Sequence, residues 1–132
     1  MDFFIKATVK GDLRCAPFRD ASFDLILCYH VLEHIKEDGL AIKELKRMLS
    51  PEGRLYIQVP MDLKRARTEE YESPDPYSHY HVRRYGADFP KRLEEAGLVF
   101  KEHDLSEFLT ESERMRYGCY KAVGLTYVCS RS

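Results

Sequence analysis

Residues 23–34 read FDLILCYHVLEH. The run Phe23 to Tyr29 is apolar except for Asp24, and a short apolar run bounded by polar residues predicts a strand buried on both faces. His30, Glu33 and His34 crowd its carboxyl end, which is where open parallel α/β sheets place their ligand sites. Two readings compete: the end of a strand facing a ligand crevice, or a metal-binding helix.

Just downstream, Ala41, Ile42, Leu45, Met48 and Leu49 recur at helical spacing, and Lys43, Glu44, Lys46 and Arg47 fill the other face. This predicts an amphipathic helix within residues 35–49, stopped by Ser50-Pro51-Glu52-Gly53. Residues 54–60, RLYIQVP, alternate and predict a second strand. Strand, helix and strand make a βαβ unit with parallel strands and a right-handed crossover. Upstream, residues 3–9, FFIKATV, predict a strand ended by Gly11-Asp12, and residues 13–22 are rich in turn formers.

Residues 61–81 are polar, contain Pro74 and Pro76, and predict a long irregular connection. A second helix is expected over residues 86–97, with Asp88 as its cap, Pro90 in its first turn and Gly97 at its end. Leu98 to Leu105 reads as a strand, Ser106 to Arg116 as a short helix, and residues 122–129 as the last strand.

The chain has 132 residues, enough for one domain with a modest core. A formal net charge of −1 gives no reason to expect a nucleic-acid partner. No apolar run approaches the roughly 20 residues of a membrane span, and the start has no signal-peptide pattern. Cys15, Cys28, Cys119 and Cys129 form no C-x-x-C pair and read as reduced thiols of a cytoplasmic protein.

His30-Val31-Leu32-Glu33-His34 is literally H-x-x-E-H, which on a helix would be a zinc hydrolase pattern. The strand before it opposes that reading, because His30 then precedes the helix and the two histidines do not share a face. No metal site is therefore assigned. His30 suits a general base near neutral pH, with His34 as a second candidate; either also serves as a plain crevice or backbone-bonding residue. His79, His81, Arg84 and Tyr85 are candidates for covering or binding a substrate, against the alternative of a solvated loop and surface ion pairs.

The order Gly11-Asp12, Ala16-Pro17-Phe18, Ser22-Phe23-Asp24, Val31-Leu32-Glu33-His34-Ile35 and Glu44…Leu49-x-Pro51-x-Gly53 resembles class I S-adenosylmethionine-dependent methyltransferases of the type 11 family. His81-Val82-Arg83-Arg84-Tyr85-Gly86 fits the same resemblance, which runs from about residue 9 to the end. It implies an α/β fold: a partial Rossmann-like sheet, mostly parallel with an antiparallel last strand, and helices on its faces. Residues 3–12, 23–29, 54–60, 98–105 and 122–129 would match the family's third to seventh strands.

The family's first two strands and glycine-rich cofactor loop have no counterpart, and the chain holds no G-x-G. Residues 1–132 thus read as one N-terminally truncated methyltransferase-like domain. By resemblance, S-adenosylmethionine would lie against Asp12, Leu13, Tyr29, His30 and Val31, with Asp12 accepting from the adenine amino group. The methyl acceptor would be a small molecule, and weak cofactor binding by the chain alone is expected. An oligomerising module without catalysis is the alternative. In either case the exposed edge of strand 23–29, or the N-terminal region, is expected to pair in a homodimer.

Overall fold

The computed structural model describes residues 8–116 and 125–132. Its central sheet has four strands in the order β1 (Phe23–Tyr29), β2 (Leu49–Gln58), β6 (Thr126–Arg131) and β5 (Leu98–His103). β1 and β2 are parallel, while β6 runs antiparallel to both β2 and β5. Three strands therefore point one way and the last runs against them, as the family resemblance implies. Strands β3 (Glu69–Asp75) and β4 (His81–Arg84) form a separate antiparallel pair.

Helix α1 (Asp38–Met48) crosses between β1 and β2, and α2 (Phe89–Glu95) precedes β5. Ala41, Ile42, Leu45 and Met48 of α1 are buried, and with Phe89 and Leu93 of α2 they cover Cys28, Leu55, Ile57, Tyr127 and Cys129. The 3.6-residue period of the helices thus meets the two-residue period of the strands on one face of the sheet. Phe89 is the joint: its ring lies edge-on to Tyr85 at 4.8 Å and tilted to Tyr127 at 5.3 Å. Burial pushes the Cys28 and Cys129 thiols up to about 12, so both are inert packing residues at neutral pH.

The other face corrects one expectation. β1 has the predicted bounds but is not buried on both faces: Leu25, Leu27 and Tyr29 are 58%, 60% and 44% exposed. Among the described residues β1 pairs with β2 alone, and α1 and α2 lie on the Cys28 side. A both-sides-buried strand needs helices above and below, and continuous apolar sequence cannot report whether the second layer is present. The strand expected over residues 3–9 lies almost wholly outside the described residues, as do residues 122–124 of the expected last strand. Among the described residues, no helix is long and apolar enough to cross a membrane.

The connection over residues 61–81 is also corrected, since most of it is the β3–β4 hairpin. Its strands are held by charged cross-strand partners, Glu69 opposite Arg84 and Glu70 opposite Arg83, so no apolar alternation marks them. Asp88 stands at the start of α2 but does not cap it. Its Oδ1 accepts from the Thr68 backbone N–H at 2.8 Å and the Thr68 hydroxyl at 2.7 Å, tying the preceding loop to the helix. Pro90 and Gly97 fall as expected, with Gly97 at φ 76° just past the helix end. Of the expected helix over residues 106–116, only α3 (Glu111–Arg116) is helical beyond a 3-10 turn. Thr110 and Glu113 form its reciprocal capping box.

Candidate functional site

β1 ends in an abrupt turn. His30 takes a left-handed backbone (φ 53°), uncommon for a residue with a side chain though histidine is among those enriched there, and its N–H donates to the Gln58 carbonyl at 3.0 Å. Leu32–His34 then forms a 3-10 turn, and α1 begins only at Asp38 rather than at Ile35. The cause is Arg83, which is buried beneath this turn. Its Nη1 donates to the carbonyls of Leu32 (3.0 Å) and Ile35 (2.6 Å), and its Nη2 to that of Lys36 (2.6 Å). These carbonyls are turned towards the guanidinium, and the helix cannot start until they are passed.

Arg83 is held in turn. Its Nε donates to both oxygens of Glu70 at 3.0 Å. Arg92 bridges Glu70 and the buried Asp38, and the Tyr85 hydroxyl donates to Asp38 at 2.7 Å. Tyr85 is therefore a core and anchoring residue, correcting its assignment to substrate. Burial beside the Asp38 carboxylate pushes the Tyr85 hydroxyl well above the ordinary phenol range, so it stays a neutral donor.

The turn opens onto a crevice of about 930 Å³ at the carboxyl end of β1. Asp12, Leu13, His30, Val31 and His34 line one side, and Tyr71 and Val82 of the hairpin line the other. Four of the five residues expected at the cofactor come together here. Tyr29 does not: two-residue alternation points it to the opposite face, where it lines a different cavity with Tyr56, His103 and Phe108.

Asp12 is already engaged. Its carboxylate accepts from the Arg14 backbone N–H at 2.8 Å and from Arg14 Nη2 at 2.6 Å, and this pairing holds its carboxyl at about 2. Arg14 also reaches Glu37 at 2.6 Å. An adenine amino group would meet Asp12 by displacing part of that fork.

His30 and His34 of the crevice lining stand close to two histidines of the hairpin. The His34 and His81 rings stack edge to face at 4.8 Å, with His79 6.0 Å from His81. His30 Nδ1 lies 3.5 Å from Oε1 of Glu33, whose side chain is 1% exposed. Burial pushes the Glu33 carboxyl above the ordinary range, only partly offset by its own backbone N–H and by His30 and His34. Burial likewise holds His81 below the ordinary imidazole value, with His34, His79 and His30 adding to it. Arg84 and His81 line a smaller cavity beside the hairpin.

His34 and His81 were each singled out from sequence, but not their contact, nor the burial of Glu33, nor the role of Arg83. One signal was available: in a strand His81, Arg83 and Tyr85 share a face. Once the hairpin is known, that face must meet the 23–38 segment.

The methyltransferase domain family matches residues 3–57. An uncharacterized protein of Methanocaldococcus jannaschii is 44% identical over 43 residues, which are 33% of this chain and 19% of that protein. A structure of an S-adenosylmethionine-dependent methyltransferase from Mesorhizobium loti superposes with a TM-score of 0.64 at 15% identity, covering 92% of this chain and 67% of that one. The cyclase SpnF superposes with a TM-score of 0.63 at 20% identity, covering 92% of this chain and 55% of that one. At such identities the structures speak for the fold, and SpnF shows that this fold is not tied to one reaction. The chain has the fold of class I S-adenosylmethionine-dependent methyltransferases. Its residues 3–57 are similar to the methyltransferase domain family, and the remainder of the chain is matched at the level of fold. It spans 19% of the length of the archaeal relative and about half that of SpnF.

Proposed function

We propose that the chain binds S-adenosylmethionine in the crevice at the end of β1 and belongs to a transferase of methyl groups to a small acceptor. The observation that supports this most is the crevice itself, which gathers Asp12, Leu13, His30 and Val31 from separate segments at the strand end. The cofactor supplies a methyl group on a sulfonium. The work left to the protein is alignment, and removal of a proton where the acceptor carries one. The Asp12–Leu13 turn is placed to hold the adenine end. The His30 imidazole faces the crevice with the Glu33 carboxylate behind its Nδ1, an arrangement that orients a base.

Calorimetry with S-adenosylhomocysteine tests the reading. The expected dissociation constant is on the order of 0.1 mM, weak because residues 1–132 hold no G-x-G to meet the amino-acid end, and Asp12→Asn should weaken it roughly tenfold. No heat at concentrations of about 5 mM would end the proposal.

A second reading rests on the edge of β1 that has no strand partner among the described residues, and on its exposed Leu25, Leu27 and Tyr29. An apolar edge strand is a template for pairing, and a homodimer through it would cover these side chains. Light scattering at micromolar concentration should then give twice the 15.5 kDa chain mass, reverting to one chain in Leu27→Lys. A wild-type monomer there would dismiss this reading without touching the first.

A further inference from the structure

We propose that Glu33, His34 and His81 form a binding site for a divalent first-row transition cation, Zn²⁺ or its stand-in Co²⁺. One ligand atom from each of the three lies within 4.8 Å of the others, close enough for one ion to draw them together. The set is two imidazoles and one carboxylate. That donor mixture suits borderline cations rather than Mg²⁺ or Ca²⁺, which prefer oxygen.

The strongest sign is Glu33. Its side chain is 1% exposed, yet its Oε2 has no hydrogen-bond partner among the described residues. A buried carboxylate oxygen without a donor is costly, and a cation between it and the two imidazoles would remove that cost. The nearby guanidinium does not serve it: Arg83 bonds to Glu70 and to the carbonyls of Leu32, Ile35 and Lys36. These same bonds fix the turn that carries Glu33 and His34, and Arg83 follows His81 by two residues on the hairpin. One buried side chain thus holds both halves of the ligand set in place, as a site made before the ion arrives requires.

This is a different ligand set from the one the string H-x-x-E-H suggests. His30 ends a strand in a left-handed conformation, so it and His34 are not a helical pair. The third ligand comes from β4 instead. Three protein ligands leave coordination positions for water or an oxygen-bearing molecule, the arrangement of a reactive rather than a purely structural zinc site. The site stands whether or not the chain transfers methyl groups.

The test is titration of tag-free, chelator-treated protein with Co²⁺, read by visible absorption, with Zn²⁺ competition and metal analysis after dialysis. One ion per chain is expected. Glu33→Gln, His34→Ala and His81→Ala should each weaken binding by at least the roughly 10–100-fold that losing even an outer-shell partner costs. His103→Ala, whose ring bonds Glu107 elsewhere, should bind as wild type. His34 is exposed, so His34→Ala keeps the experiment decisive even if a buried variant fails to fold. No uptake by the wild type, or full uptake by His34→Ala, overturns the proposal. So does loss of binding in His30→Ala with retention in His81→Ala, because that pattern belongs to the sequence-adjacent pair.

Discussion

Arg83→Ala is expected to destabilise the fold by about 3–5 kcal/mol, because it removes a buried guanidinium 3.6 Å from the buried Asp38 carboxylate together with the donors of three backbone carbonyls. The side chain is 1% exposed and reaches Glu70, three backbone carbonyls and, at 3.4 Å, the Tyr85 hydroxyl. Removing it leaves the carbonyls of Leu32, Ile35 and Lys36 short of a donor beside a hole the size of a guanidinium. Arg83→Lys should recover only a minor part, because one ammonium cannot span the carbonyls on one side and the Glu70 carboxylate on the other. Urea unfolding measures both variants. A loss under about 1 kcal/mol in Arg83→Ala would show that the turn is held by other means.

Phe89→Ala is expected to cost a similar amount, about 3–5 kcal/mol, for a different reason. Phe89 is fully buried and is the ring through which α2 meets the sheet, between Tyr85 and Tyr127. With α1 and α2 covering only one face, this core has no second layer among the described residues to absorb a cavity. Against a total stability of about 5–15 kcal/mol, either variant leaves a large unfolded fraction under mild denaturant. Phe89→Leu, which keeps most of the volume, should lose less than about 1.5 kcal/mol. Equal losses for Leu and Ala at this position would contradict the packing account. The Arg83 and Phe89 effects should not add, since both side chains lean on Tyr85: the Arg83 guanidinium lies 5.5 Å from its ring centroid.

The sheet and its two covering helices were legible because each depends on local periodicity. Phe23–Tyr29 is apolar along its length, and the heptad-like spacing of Ala41, Ile42, Leu45 and Met48 is present in sequence alone. The β3–β4 hairpin was not legible. Its pairing runs through Glu69, Glu70, Arg83 and Arg84, and charged residues in a polar stretch carry no period that separates a strand from a loop. The start of α1 was misplaced by three residues because a side chain from β4, remote in sequence, takes the carbonyls of the turn before it.

Residues 23–34 show the division most clearly. By itself the sequence determined that a strand ends at Tyr29 and that His30, Glu33 and His34 follow at its carboxyl end, because apolar content and alternation are local properties. Only the tertiary structure decided that Tyr29 points away from the crevice, that Glu33 is buried without a partner for Oε2, and that His34 meets His81 rather than His30. Those outcomes depend on which face of β1 the helices cover and on where Arg83 docks the hairpin. Both are set by long-range packing, in which residues far apart in the chain exclude water together, and no spacing within twelve residues encodes it.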